Sequence, residues 1–202
     1  MNSFAFSARR RAVTAALAAG MLSVTLAGCG NDKPAFTGSD VTGTHLGRDM
    51  SMTDATGHVR TLADYKGKVV VVYFGYTHCP DVCPTSMAEL AQTMALLKGD
   101  AKKTQVIMIT VDPARDTPAV VDHYAKAFDP SFVGLGGTPE QLAKTAKSFK
   151  TYYAKESSKI PGQYAMNHSS MFYIIDQKGE TRVILNSTVP PDVVAHDIRL
   201  LL

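Results

Sequence analysis

A run of apolar, mostly β-branched residues, Val69-Val-Val-Val-Tyr-Phe-Gly75, leads within four residues into Cys79-Pro-Asp-Val-Cys83. The run shows no alternation of polar and apolar side chains, so it reads as a strand covered on both faces. Such a strand needs helices packed against it, which makes the chain an α/β domain. The two cysteines fall where the strand ends and a helix begins. A spacing of four puts both sulfurs on one face of a helical turn, within reach of one metal ion or of each other. The positive end of the helix predicts that at least one thiol is partly ionised at neutral pH, with Asp81 opposing it. The pair therefore captures metal, exchanges redox equivalents, or does both. A structural disulfide is the plainer alternative, and a loop this tight would add little entropic stabilisation.

The rest of the chain supplies the layers. Lys68 to Gly75 and Gln105 to Val111 read as buried strands, with a helix from Cys83 to Lys98 between them. In that helix Met87, Leu90, Met94 and Leu97 recur at helical spacing, and Gly99 is expected to stop it. Thr117 before Pro118 predicts a helix to Phe128. Thr138-Pro-Glu-Gln141, a capping box with a first-turn proline, predicts another to about Phe149. Phe132 to Leu135 reads as a short strand. Met50 to Leu62 reads as a small hairpin turning at Asp54-Ala-Thr-Gly57. Ser170 to Asp176 and Glu180 to Asn186 form strands joined at Gln177-Lys-Gly179, and Pro190 to Leu202 closes with a helix. This order predicts a thioredoxin-like fold, a central mixed sheet flanked by helices with an added hairpin.

The first 28 residues do not belong to that domain. Arg9, Arg10 and Arg11 precede an alanine-rich apolar stretch, the pattern of an export signal, and Leu26-Ala-Gly-Cys29 resembles a bacterial lipobox. That resemblance implies a lipidated Cys29 as the mature N-terminus; a single membrane-spanning anchor is the alternative. Residues 29–44, rich in Gly, Pro, Ser, Thr and Asp, are expected to be a flexible tether, and 45–202 the folded domain. The net charge of +3 equals the three leader arginines, so the exported part is neutral overall. No basic stripe interleaved with aromatics remains, and nucleic acid is not an expected partner. Outside the cytosol, a free dithiol oxidises unless something reduces it or a metal holds it.

His168 immediately precedes a strand expected in the same sheet, and supplies a third donor beside Cys79 and Cys83. Two thiolates and an imidazole suit Cu(I), and with a further donor Cu(II); zinc is also compatible. Met166 and Met171 flank it and could lend a thioether, although methionines there more often pack the core. His78 is expected to face solvent, and His45, His58, His123 and His196 have no partner at ligand spacing. Asp112 and Asp116 follow the second core strand. They are candidates for an extra ligand, for support of the ligands or for a docking surface, against the alternative of a capped turn.

Gly75-Tyr-Thr-His-Cys-Pro-Asp-Val-Cys-Pro84, then Val111-Asp-Pro-Ala-Arg-Asp-Thr-Pro118, then a histidine about 85 residues past Cys83, together resemble the Sco/SenC family of copper proteins. The resemblance runs from about Phe36 to Leu202. It implies a thioredoxin-like domain binding one copper, as Cu(I), Cu(II) or both, through Cys79, Cys83 and His168. It implies delivery of copper to the CuA subunit of cytochrome c oxidase, or reduction of that site's cysteines, with an upstream copper donor or thiol reductant. The lipobox adds a membrane lipid anchor, with the domain on the periplasmic side. One departure is Met166-Asn-His-Ser, where Val-Asp-His is expected, so an acid beside His168 is missing. A thiol–disulfide oxidoreductase is the alternative function. The three-residue spacer and the absence of a proline beside His168 speak against it.

Overall fold

The computed structural model describes residues 34–157 and 163–202. The export signal, Cys29 and the start of the tether lie outside the described residues. The compact unit is Ala35–Leu202. Among the described residues, no helix is long and apolar enough to cross a membrane.

In chain order the elements are β1 (Ser39–Asp40), β2 (Met52–Thr53), β3 (Val59–Arg60), β4 (Val69–Gly75), α1 (Val82–Leu97), β5 (Thr104–Thr110), α2 (Pro118–Lys126) and β6 (Val133–Leu135). Then come α3 (Pro139–Phe149), β7 (Tyr153–Ser157), β8 (Tyr164–His168), β9 (Met171–Ile175), β10 (Thr181–Asn186) and α4 (Pro191–Arg199). Six strands make one sheet in the order β1-β10-β9-β4-β5-β6. β4, β5 and β6 run parallel, while β9 pairs antiparallel with both β4 and β10. The mixed central sheet expected from the sequence is thus present.

Every residue of β4 and of β5 is buried, as the unbroken apolar runs require. The two faces of β4 carry different aromatic sets. Phe74 packs edge-on against Phe149 of α3 at 5.3 Å and against Tyr173 at 5.9 Å. Tyr73 points the other way, edge-on to Phe172 at 5.6 Å, its register partner on β9. Fully burying each such ring stabilises the fold by about 1.5–3 kcal/mol. On the Tyr73 side α1 buries Cys83, Met87, Leu90, Met94 and Leu97, and packs against α4. Cysteines and tyrosine therefore share one face of the sheet.

Local signals hold at the caps. Thr117 accepts from the Val120 N–H, and Thr138 and Gln141 close the expected capping box. The β2–β3 hairpin turns at Asp54, whose carboxylate gathers Thr56, His58 and Arg60, and Gly57 takes a positive φ of 87°. Helix α1 ends at Lys98, which itself takes positive φ, rather than at Gly99.

Two segments differ from the sequence reading. Residues 37–44 are not free tether. The Thr37 and Gly38 N–H groups each donate to the buried Asp197 carboxylate at 2.9 Å, and Ser39–Asp40 adds an edge strand to β10. The pairing depends on Asp197, about 160 residues away, which local composition does not encode. The second difference is β7–β8, a separate two-stranded hairpin that carries His168 as its last residue. Its strands, Tyr-Ala-Lys-Glu-Ser and Tyr-Ala-Met-Asn-His, show no buried alternating face that would announce them.

Candidate metal centre

β4 delivers the chain to the site, and a turn closed by the Cys79 N–H on the Tyr76 carbonyl leads into α1. Cys79 Sγ then accepts the Cys83 N–H at 3.4 Å, so one sulfur sits on the open first turn of the helix. Cys83, one turn further, is fully buried over Gly75. A Cβ at Gly75 would fall 3.1 Å from Cys83 Sγ and 2.9 Å from the Tyr73 ring. Glycine at this position leaves room for the sulfur. Both cysteines are free thiols.

Burial pushes the Cys83 thiol up to about 12; the Tyr76 backbone opposes this and Cys79 adds to it. The sulfur expected to ionise is therefore not Cys83. The helix terminus favours a thiolate, but removal from water outweighs it at a fully buried sulfur. Cys83 is a neutral thiol at pH 7.

His168 Nε2 lies 3.5 Å from Cys83 Sγ, although 85 residues separate the two. The other ring nitrogen, Nδ1, lies 3.2 Å from the Ser169 carbonyl. A carbonyl can only accept, so Nδ1 carries the proton and the Nε2 lone pair faces the sulfur. The backbone thus orients the ring without an adjacent acid. Burial lowers the imidazole pKa from its ordinary value, with the Ser169 contact opposing, so the ring is neutral. Tyr73 and Tyr76 hold it edge-on, with centroids at 6.2 and 6.0 Å. Among the described residues, no three His, Cys, Asp or Glu side chains already form a cage around a metal position. Capturing an ion therefore needs rearrangement of the cysteine or histidine side chains. The donors fit a soft ion nonetheless: two sulfurs and one neutral imidazole, in a site lined by aromatic rings.

The two aspartates act through their neighbours. Asp116, 1% exposed, accepts the Thr77 N–H at 2.9 Å, the Thr77 hydroxyl at 2.6 Å and the Thr110 hydroxyl at 2.7 Å. It ties the loop before Cys79 to the end of β5. Asp112, also buried, pairs with Arg115 Nε and accepts the Tyr164 hydroxyl at 2.8 Å. Arg115 donates through Nη1 to the Tyr164 carbonyl and lies 3.7 Å from the Tyr164 ring centroid. One aspartate thus positions the cysteine loop and the other positions the histidine hairpin. Thr77, Thr110, Arg115 and Tyr164 were not singled out by the sequence reading. Arg115 lay inside the quoted motif, whereas Tyr164 carried no signal.

His78 is exposed, its Nδ1 3.8 Å from Asp116 Oδ1, as its extended-chain position implied. Met166 and Met171 pack against the rim of the core. His58 contacts the Thr56 hydroxyl, and His196 contacts Asp197. The Tyr73 hydroxyl, in contrast, is buried with no hydrogen-bond partner among the described residues, at a cost of about 1–3 kcal/mol.

The fold has counterparts among solved structures. A structure of Bradyrhizobium japonicum ScoI with copper bound superposes with a TM-score of 0.69 at 39% identity, covering 76% of this chain and 97% of that one. A Bacillus anthracis SCO1/SenC family lipoprotein superposes with a TM-score of 0.64 at 26% identity, covering 75% of this chain and 91% of that one. The bovine mitochondrial SCO2 homologue is 38% identical over 133 residues, 65% of this chain. The match takes in 50% of the bovine protein, so the chain spans about half the length of that relative. The fold is thioredoxin-like. The SCO1/SenC family model matches residues 39–202, from the edge strand through both cysteines and the histidine to the last helix, and the chain belongs to that family.

Proposed function

We propose that this chain is a copper-handling protein that loads or prepares the CuA site of cytochrome c oxidase, with Cys79, Cys83 and His168 as its copper ligands. The observation that carries the reading is the 3.5 Å approach of His168 Nε2 to Cys83 Sγ beside the Cys79 sulfur. Copper is cargo here. A site with three protein donors, one of them the half-exposed Cys79, can hold the ion and still yield it to the thiols of a target by stepwise ligand exchange. Loading displaces the Cys83 proton to solvent, because the thiolate and not the thiol binds metal. A likeness to a family lipoprotein supports acylation of Cys29, which would tether the domain to a membrane on its periplasmic side.

The test is a copper titration of the reduced domain, read by absorption and electron spin resonance, with His168→Ala alongside. One equivalent is expected, with Cu(II) bound at least tenfold more weakly by the variant at an unchanged fold. Identical copper spectra in the variant would overturn the ligand assignment.

A second reading is favoured by one contrast: Cys79 is half-exposed while Cys83 is buried. This is the arrangement of an attacking and a resolving thiol. Cys79 thiolate would attack a target disulfide, Cys83 would release the mixed disulfide, and the chain would end oxidised while the target gained two electrons and two protons. The Cys79 variant trapping a mixed disulfide less well than the Cys83 variant would support this reductase role.

A further inference from the structure

Tyr73 is fully buried, yet its hydroxyl has no hydrogen-bond partner among the described residues. Every other side of the ring is accounted for. Phe172 and His168 pack edge-on against it, and the Gly75 gap receives its Cε1 edge next to Cys83 Sγ. Phenylalanine would fill this slot without leaving a polar atom stranded. The Cys83 thiol and the Ser86 hydroxyl are the polar groups beside the phenol. A phenol, with an ordinary pKa of about 10, is protonated at neutral pH and so is a donor. A neutral thiol is a poor acceptor, whereas a metal-bound thiolate sulfur is a good one.

We infer that Tyr73 is a positioning residue for the copper-loaded state, its hydroxyl donating a hydrogen bond to Cys83 Sγ once that sulfur has exchanged its proton for the metal. The inference rests on the copper reading above and extends it to the sulfur's own environment. The hydroxyl is unsatisfied in the reduced, metal-free protein and satisfied on loading, so it stabilises the loaded state selectively. It also draws electron density from the sulfur, which raises the energy of sulfur-to-copper charge transfer.

The experiment compares the reduced chain with Tyr73→Phe and with Ser86→Ala. Tyr73→Phe should melt at the same temperature as the parent, or higher, without metal. Its copper affinity should fall about tenfold. With Cu(II), its sulfur-to-copper absorption band should move to longer wavelength, while Ser86→Ala leaves the band in place. An unmoved band together with unchanged affinity in Tyr73→Phe overturns the inference while leaving the copper reading intact. A lowered melting temperature in the metal-free variant also overturns it, because the hydroxyl would then serve the resting fold. Absence of any sulfur-to-copper band in the parent chain defeats both.

Discussion

Asp116 grips Thr77 twice, accepting its backbone N–H at 2.9 Å and its hydroxyl at 2.6 Å, two residues before Cys79. The carboxylate lies across the end of β5 and holds the cysteine loop in place from a different strand. Asp116→Ala should lower stability by about 2–4 kcal/mol in urea denaturation, because three donors, one buried and two half-buried, lose their acceptor. Asp116→Asn keeps one acceptor oxygen and should lose less than half as much. Copper affinity should follow the same order.

The histidine hairpin is held by Arg115, Asp112 and Tyr164. Arg115→Met leaves the Asp112 carboxylate buried without its cation and should cost about 2–4 kcal/mol. Tyr164→Phe removes one hydrogen bond to Asp112 and should cost about 1 kcal/mol. Hydrogen exchange at the β7–β8 amides should quicken in both, more so in Arg115→Met, and Cu(II) binding should weaken in parallel. Protected hairpin amides in Arg115→Met would refute this coupling.

Cys83 makes copper loading depend on pH. Its folded-state pKa is raised to about 12, so the metal must displace a proton throughout the neutral range. For that one proton, apparent affinity should rise about tenfold per pH unit and level off near pH 12. Stability of the reduced, metal-free protein runs the opposite way. The contribution from Cys83 is complete below the ordinary thiol pKa of about 8.5 and is lost as pH rises towards 12, where the unfolded chain ionises first. Cys83→Ser should flatten the affinity profile in a competition titration across pH 6–9.

At Gly75 the constraint is space. Gly75→Ala places a methyl 3.1 Å from Cys83 Sγ, 3.2 Å from Met108 Cε and 2.9 Å from the Tyr73 ring. Overpacking of this kind should cost about 1–3 kcal/mol. It should also displace the sulfur that faces His168, so the copper absorption spectrum should change more than the far-ultraviolet dichroism.

Much of this was legible in the sequence because it is local. The β-branched run of β4, the caps at Thr117 and Thr138, and the face of α1 carried by Met87, Leu90, Met94 and Leu97 are each specified within a few residues. The cysteines and His168 were legible as chemistry. Their meeting depended on a hairpin that announces itself poorly, because Tyr164 is held by Arg115 and Asp112 and not by an apolar face of its own. Which thiol stays neutral was not legible for a related reason: a helix terminus can be read from spacing, but the burial that overrides it at Cys83 belongs to the assembled core. Asp112 and Asp116 could be read equally as support for the ligands or as turn formers, and their role as buried anchors is revealed only by distant partners.

The docking of Thr37 and Gly38 on Asp197 shortens the leash. With Cys29 acylated as proposed, the stretch between the lipid and the first docked residue runs to Thr37 instead of Thr44. At about 3.5 Å per residue its greatest reach drops from roughly 50 Å to roughly 28 Å. A domain on so short a lead patrols only a thin layer above the lipid, and any target it serves must present its own cysteines within that layer.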